Sequence, residues 1–325
     1  EMGLPLIALA LPFYQIGKPL LGKVFSMVEI LTLLTLLGWG VHSVYGRWRQ
    51  PRPDPGLEQG RLAAKWRPTA LDWGVFILVL IGLGSLLWAE HGRVAARELR
   101  TVVVGSSLFY ALLRAMVRGR FTAWRVVDAW LLGAVLISVV GVFQWAFGQN
   151  LITAEGVWRV RGFYGSPNNL ALYLGRVLPV VVALSAWGRA GRRRWAYAWA
   201  MVVVAGAILL TYSRGAWLIG VPISLLFLAA VRGRRALLVA AGVLLLAAAL
   251  VFLIVGPGRL TSLLDTGAGT TFFRLQLWQS SLSMVRDHPL LGVGLDNFLY
   301  QYRTHYVLPT AWAEFNLSHR HQIFL

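Results

Sequence analysis

The stretch Val126-Val-Asp-Ala-Trp-Leu-Leu-Gly-Ala-Val-Leu-Ile-Ser-Val-Val-Gly-Val-Phe-Gln-Trp-Ala-Phe147 holds Asp128 as its only charged residue. It is long enough to cross a bilayer, which takes about 20 apolar residues in a helix. Comparable runs lie near residues 4 to 16, 24 to 45, 72 to 90, 101 to 117, 167 to 188, 195 to 213, 215 to 231 and 236 to 256. The pattern predicts an all-α, polytopic membrane protein with about nine spans. Prolines and charge clusters separate the runs, as in Arg47-Trp-Arg49-Gln-Pro-Arg52-Pro-Asp-Pro55, where closely spaced prolines disfavour a helix.

Composition agrees. Hydrophobic residues make up 57% of the chain and charged residues 14%, with a mean hydropathy of +0.63, values foreign to a soluble 36.0 kDa protein. The net charge of +18 would suggest nucleic acid in a soluble domain, but here the arginines sit in short clusters between apolar runs, as topology signals do. With no cysteine, disulfides, thiolate catalysis and thiolate-bound metals are excluded. No signal-peptide pattern opens at Glu1, and the numbering reads as beginning inside a protein. Ile323-Phe-Leu325 reads as the opening of a further span, and no repeat of solenoid length is visible.

Basic residues in short loops set orientation. One cluster holds Arg47, Arg49, Arg52, Arg61, Lys65 and Arg67; a second holds Arg118, Arg120 and Arg125. A third holds Arg189, Arg192, Arg193 and Arg194, and a fourth Arg232, Arg234 and Arg235. All four fall on one side, expected to be cytoplasmic. The opposite side then receives the loop after residue 147, the Ser213-Arg214 hinge and everything past Gly256. Arg93, Arg97 and Arg100 in an outward loop run against the rule, partly offset by Glu90 and Glu98. Residues 1–256 are expected to form the helical bundle and 257–325 an outer loop. Within that loop, residues 270 to 286 read as an amphipathic helix presenting Phe273, Leu277, Leu282 and Met284, ended by His288-Pro289.

Three outward stretches carry arginine. In the hinge, Arg214 stands between two apolar runs. Its fork suits phosphate oxygens, and the same position suits an arginine reaching to lipid headgroups. Arg159 and Arg161 precede Gly-Phe-Tyr-Gly-Ser166-Pro167-Asn168-Asn169, where Ser166 and Pro167 are N-cap and first-turn chemistry. A helix start of this kind is also an anion site. Arg274 lies in the amphipathic helix, as a site residue or a headgroup-facing charge. Arg176 falls in the middle of a span, where an ionisable group is a functional candidate by default; a structural pair with Glu29 is the alternative. His305, His319 and His321 cluster with Glu314 in the tail. Their spacing fits no standard zinc pattern, a general base is the stronger chemical reading, and surface histidines are the bland one. Gly292-Val-Gly294 lacks the strand and third glycine of a dinucleotide fingerprint.

Three runs taken together, Arg-Gly-Phe-Tyr-Gly-Ser-Pro-Asn-Asn-Leu-Ala171, Thr211-Tyr-Ser-Arg-Gly-Ala-Trp217 and His288-Pro-Leu-Leu-Gly-Val-Gly-Leu-Asp-Asn-Phe298 with a terminal histidine, resemble the O-antigen ligase and polymerase superfamily. The resemblance covers roughly residues 150 to 325. It implies a bacterial inner-membrane glycosyltransferase that takes a glycan from an undecaprenyl-diphosphate carrier on the periplasmic face, by inversion, without cofactor or metal. The acceptor would be lipopolysaccharide core or a comparable lipid-linked glycan; membrane lipids are the other partners, and nucleic acid is not one. It further implies that Arg214 and Arg274 meet the diphosphate and that His321 stands near the acceptor hydroxyl. Arg159, Arg161, Asn168, Asn169, Ser213 and Arg176 are the accompanying candidates for substrate binding. The family places Asn after its loop histidine where this chain has Gln322, so His319 and His321 both stay candidates. A polymerase extending the carrier-linked glycan fits the same motifs, and an anion transporter is the non-enzymatic reading.

Overall fold

The computed structural model describes residues 2–20, 23–49, 68–117, 119–154, 157–188, 190–255 and 269–309. The described chain is mostly helical, with two short antiparallel hairpins that the all-α expectation did not include. Among the described residues, six helices are long and apolar enough to cross a membrane: Met27–Tyr45, Ala70–Leu87, Gly92–Met116, Arg120–Ala146, Pro167–Trp187 and Arg192–Leu210. Two further expected spans are shorter, Gly3–Phe13 and Ala216–Arg232. The first tightens into a 3-10 turn at Leu11–Phe13 with Pro12 inside it. The second opens as a π-turn, Ala216–Gly220. Pro222 cannot donate to the carbonyl four residues earlier, so the ladder widens just before it. The expected span at 236 to 256 corresponds to a helix of 22 residues, Arg234–Val255.

Two compact units divide the chain. The first comprises Glu1–Ile7, Gly17–Val126 and Ser283–Tyr306. Strands β1 (Gly17–Leu20) and β2 (Lys23–Ser26) pair with Gly17 opposite Ser26. Helix α1 (Gly3–Ala10) contributes Leu4 and Ile7, which are buried together with Leu112. Helix α2 (Met27–Arg49) begins in a reciprocal cap, the Ser26 amide donating to Glu29 Oε2 at 2.8 Å and the Glu29 amide to Ser26 Oγ at 3.1 Å. Helix α3 (Ala70–Gly84) begins the same way, with Thr69 and Asp72.

Next come α4 (Gly92–Glu98), a π-turn at Leu99–Val104 and α5 (Gly105–Met116), one continuous helical rod. The outward loop expected at 91 to 100 is therefore mostly helix. Its cations are engaged locally: Arg97 pairs with Asp296 at 3.1 Å, and Arg100 pairs with Glu29 at 3.5 Å while its guanidinium covers the Phe25 ring.

The second unit comprises Ala8–Ile16, Val127–Leu282 and Val307–Leu325. Its core is Leu131, Ala134 and Ile137 from α6 (Arg120–Ala146), Leu170, Leu174, Val177 and Val181 from α7 (Pro167–Trp187), and Val204, Ala207 and Ile208 from α8 (Arg192–Leu210). Strands β3 (Ile152–Ala154) and β4 (Val157–Arg159) form a small hairpin between α6 and α7. At the opposite end of α7, Arg194 Nε donates to the Ser185 carbonyl at 2.8 Å, a cation on a helix C-terminus. Arg193 meets Asp128 at 3.3 Å, and the Tyr197 hydroxyl donates to the same carboxylate at 2.7 Å. The lone acid of the first-quoted span is thereby accounted for. Helices α9 (Val221–Arg232) and α10 (Arg234–Val255) follow.

The amphipathic helix expected at 270 to 286 is present as α11 (Gly269–Asp287). Its buried stripe differs from the expected one: Ser280 and Met284 are buried, whereas Leu282 is exposed. Spacing explains this, since 273, 277, 280 and 284 share a helix face and 282 does not.

Candidate functional site

Two of the three polar stretches meet at one end of the second unit. Arg159, the last residue of β4, is 9% exposed. Its Nε donates to the Thr211 carbonyl at 2.8 Å and its Nη2 to Asn168 Oδ1 at 2.8 Å. Beside it, the Val160 amide donates to the Leu210 carbonyl at 3.2 Å. The guanidinium thus sits on the last carbonyls of α8, where the helix dipole favours positive charge. The same side chain tethers the first turn of α7 through Asn168.

The loop that follows is shaped by a residue the motif reading passed over. Gln144, buried in the last turn of α6, donates from Nε2 to the Gly162 carbonyl at 2.8 Å. Its Oε1 accepts from the Gly162 amide at 2.9 Å and the Arg161 amide at 3.4 Å. Gly162 has φ +59°, and a Cβ there would stand 2.9 Å from Ile137 Cδ1, so both conformation and space require glycine. Arg161 Nη2 donates to Asn150 Oδ1, while its Nε is buried without a hydrogen-bond partner. Ser166 caps α7 as expected, accepting from the Asn169 amide at 3.4 Å, with Pro167 at the first helical turn. Asn169 is buried and Asn168 half-buried.

The hinge is equally determined. Thr211 is fully buried; its hydroxyl donates to the Ile208 carbonyl at 2.6 Å and accepts from the Ser213 amide at 3.2 Å. Tyr212 takes φ +49°, the left-handed region an aromatic residue rarely enters, and its ring lies 5.5 Å from that of Trp217. Such a conformation stores roughly 1–3 kcal/mol and is typical of functional turns. Ser213 is buried, and its carbonyl accepts from the Trp217 amide at 3.0 Å, so Arg214 begins the next helix in a half-buried position. One cluster therefore brings Arg159, Asn168 and the Thr211–Arg214 hinge together, with Arg161 and Asn169 one or two residues away in sequence.

Arg176 is exposed on α7. The Glu29 carboxylate caps α2 and pairs with Arg100, which replaces the Arg176 to Glu29 pair considered from the sequence. Tyr164 packs between Tyr14 and Tyr173, with ring centroids 5.8 and 6.1 Å away. Burial pushes its phenol up, with the Arg176 charge acting the other way. Arg274 is exposed on α11. His319 and His321, with Glu314, lie outside the described residues. His305 is exposed, its Nδ1 2.7 Å from the Thr304 hydroxyl. Among the described residues, no three His, Asp or Glu side chains come together to hold a metal ion.

The third stretch folds against the first unit's own turn. The Trp88 indole donates to the Leu291 carbonyl at 2.7 Å, and the His91 amide donates to Asn297 Oδ1 at 2.7 Å. Asn297 is fully buried, the His91 and Tyr300 rings stack at 3.9 Å, and Gln301 Nε2 donates to Glu90 Oε2 at 2.6 Å. At Gly294, φ +89°, a Cβ would lie 2.7 Å from that of Ala89. The glycine rejected as part of a nucleotide fingerprint is thus a close-approach point between segments.

Six helices long and apolar enough to cross a membrane among the described residues define a multi-pass membrane protein, in which a buried arginine gathers two loops at one helix end. Residues 199–325 match the family model for O-antigen ligase, a likeness to that family over this part of the chain. The match supports a membrane glycosyltransferase-type role in O-antigen or lipopolysaccharide synthesis. It includes the hinge, Arg274 and the tail, and leaves out the Arg159 to Asn169 loop. No curated protein and no solved structure matches the chain.

Proposed function

We propose that this protein transfers a glycan from undecaprenyl diphosphate to lipopolysaccharide core or a similar acceptor, on the periplasmic face of the inner membrane. The observation that carries the reading is the tethering of the hinge next to Arg214, inside the matched domain, by the buried Arg159. In this reading residues 1–256 are the bundle and 257–325 the outer loop.

Arg214 and Arg274 hold the diphosphate. As the anomeric bond breaks, charge develops on the leaving phosphate, and fixed guanidinium groups stabilise it where a divalent cation would otherwise serve. Arg161, Asn168, Asn169 and Ser213 line the same pocket, Arg159 holds its walls in register, and Arg176, in the middle of α7, is the remaining substrate-binding candidate. His321 or His319 takes the proton from the acceptor hydroxyl. One direct displacement gives inversion.

The test is reconstitution of purified protein with carrier-linked glycan and core acceptor, with and without chelator. Conjugate in both conditions supports the reading, and loss of transfer on chelation removes the metal-free step. Longer glycan on the carrier alone identifies a polymerase. Anion flux in liposomes without any transfer identifies a transporter.

A further inference from the structure

The last turn of α7 lies about 30 Å from the Arg159 cluster, the length of a 21-residue helix at 1.5 Å per residue. That distance is about the hydrocarbon thickness of a bilayer, so this end of the second unit meets the other membrane surface. Arginines from two neighbouring helices close on it. Arg194, in the first turn of α8, donates from Nε to the Ser185 carbonyl at 2.8 Å and from Nη2 to the Ala186 carbonyl at 3.3 Å. From the last turn of α9, the Arg232 guanidinium covers the adjoining Trp187 ring at 4.9 Å. The chain then turns at Gly233, φ +115°, and α10 opens on Arg234 and Arg235.

Charge at this end is unbalanced. Arg192, Arg193, Arg194, Arg232, Arg234 and Arg235 are all exposed, and Asp128, paired with Arg193, is the only acid among the described residues of the second unit. Arg192, Arg234 and Arg235 make no hydrogen bond or ion pair with the described residues. Beside them on α8, Trp195 and Trp199 stand one turn apart, 72% and 71% exposed, as indoles do at a membrane boundary.

Membrane orientation accounts for the number of these cations and not for the way they are held. The charge rule asks only for lysine or arginine near the ends of spans. Here one guanidinium is laid on a tryptophan and another is fixed by two carbonyls, and Arg194 keeps three of its five N–H donors for a ligand. Fixed guanidiniums suit phosphate oxygens, and exposed indoles at the same level suit the hydrocarbon joined to them.

We infer that this end of the second unit binds an anionic phospholipid carrying two phosphates, one at Arg194 and one at Arg232, with its acyl chains along Trp195 and Trp199. Basic surfaces between membrane helices accept head groups of this class. The site is separate from the proposed transfer site and independent of that reaction.

The experiment is native mass spectrometry of the purified protein titrated with cardiolipin, phosphatidylglycerol, phosphatidylcholine or inorganic pyrophosphate. Trp187→Leu and Arg232→Lys conserve the charge that sets orientation and remove the stacked guanidinium. We expect one tightly held cardiolipin, phosphatidylglycerol at least tenfold weaker at equal phosphate, and no retention of phosphatidylcholine or pyrophosphate. The cardiolipin Kd should rise about fivefold in each variant, the effect of losing one cation–π contact. An unchanged Kd in either variant overturns the inference, because the charges would then act by number alone. Phosphatidylcholine held as well as cardiolipin makes the surface ordinary lipid-facing wall, and pyrophosphate held as well makes it a free-anion site; either result overturns it. A second measurement needs no variant: cardiolipin should slow hydrogen exchange of the wild-type protein at residues 185–195 and 232–237, and unaltered exchange there contradicts the site.

Discussion

Arg159 Nε donates to the carbonyl of Thr211 across 2.8 Å, joining the end of a β-hairpin to the last turn of a membrane helix. Through Nη2 the same guanidinium also holds Asn168. One buried cation thereby sets the relative placement of a loop, a helix start and a hinge.

An ammonium cannot reproduce that planar fork. Arg159→Lys should lose a charged hydrogen bond worth about 1.5–3 kcal/mol and let the hinge drift. The expected result is a lower thermal midpoint in detergent and at least a tenfold fall in transfer. Wild-type behaviour of the lysine variant would show that the fork does not position the site.

Gln144 and Gly162 form the second positioning device. Gly162→Ala must accept a left-handed backbone and push on Ile137, which should cost more than about 1 kcal/mol. Gln144→Leu keeps the packing but leaves the Gly162 amide and carbonyl unpaired, at about 1–3 kcal/mol for each buried group. Thermal unfolding in detergent checks both, and neutrality of either removes the clamp from the account.

On the first unit, two contacts of different worth join the tail segment to the turn at residue 91. The Arg97 to Asp296 pair is 64% and 38% exposed, so its worth is about 0–1 kcal/mol. Asn297 is fully buried and satisfies the His91 amide. Hydrogen exchange across residues 288–306 should therefore quicken strongly in Asn297→Ala and hardly at all in Arg97→Ala. The reverse order would mean that the ion pair holds the segment.

Glu29 and Arg176 should part company in the same way. Glu29→Leu removes a helix cap and the partner of Arg100, and should destabilise by about 2 kcal/mol. Arg176→Leu, on an exposed surface, should change thermal stability by less than about 0.5 kcal/mol. Equal destabilisation would restore the intramembrane arginine as a structural element.

The membrane class, most spans, the Ser166 cap and the α11 helix were legible because each rests on local pattern: apolar length, an N-cap beside proline, a helical face. The count of spans was less so. Pro12 falls inside a 3-10 turn and Pro222 just after a π-turn, irregularities that the apolar runs around them do not reveal. The partners of Arg97 and Arg100, Asp296 and Glu29, lie far away in sequence and so could not be read from local pattern. Gln144 could have been noticed, being an uncharged polar residue near the end of an apolar span, where such groups are seldom idle. That Tyr212 would be left-handed had no signal, since aromatic residues seldom adopt that conformation.

The central claim is that Arg214 and Arg274 hold the diphosphate of a lipid-linked glycan during its transfer. Its most direct test is the rate of conjugate formation by purified Arg214→Ala and Arg274→Ala proteins, reconstituted with undecaprenyl-diphosphate-linked glycan and core acceptor. The account predicts a fall of about 100-fold or more in each, with insertion and thermal midpoint unchanged. Near-wild-type rates in both variants would contradict it.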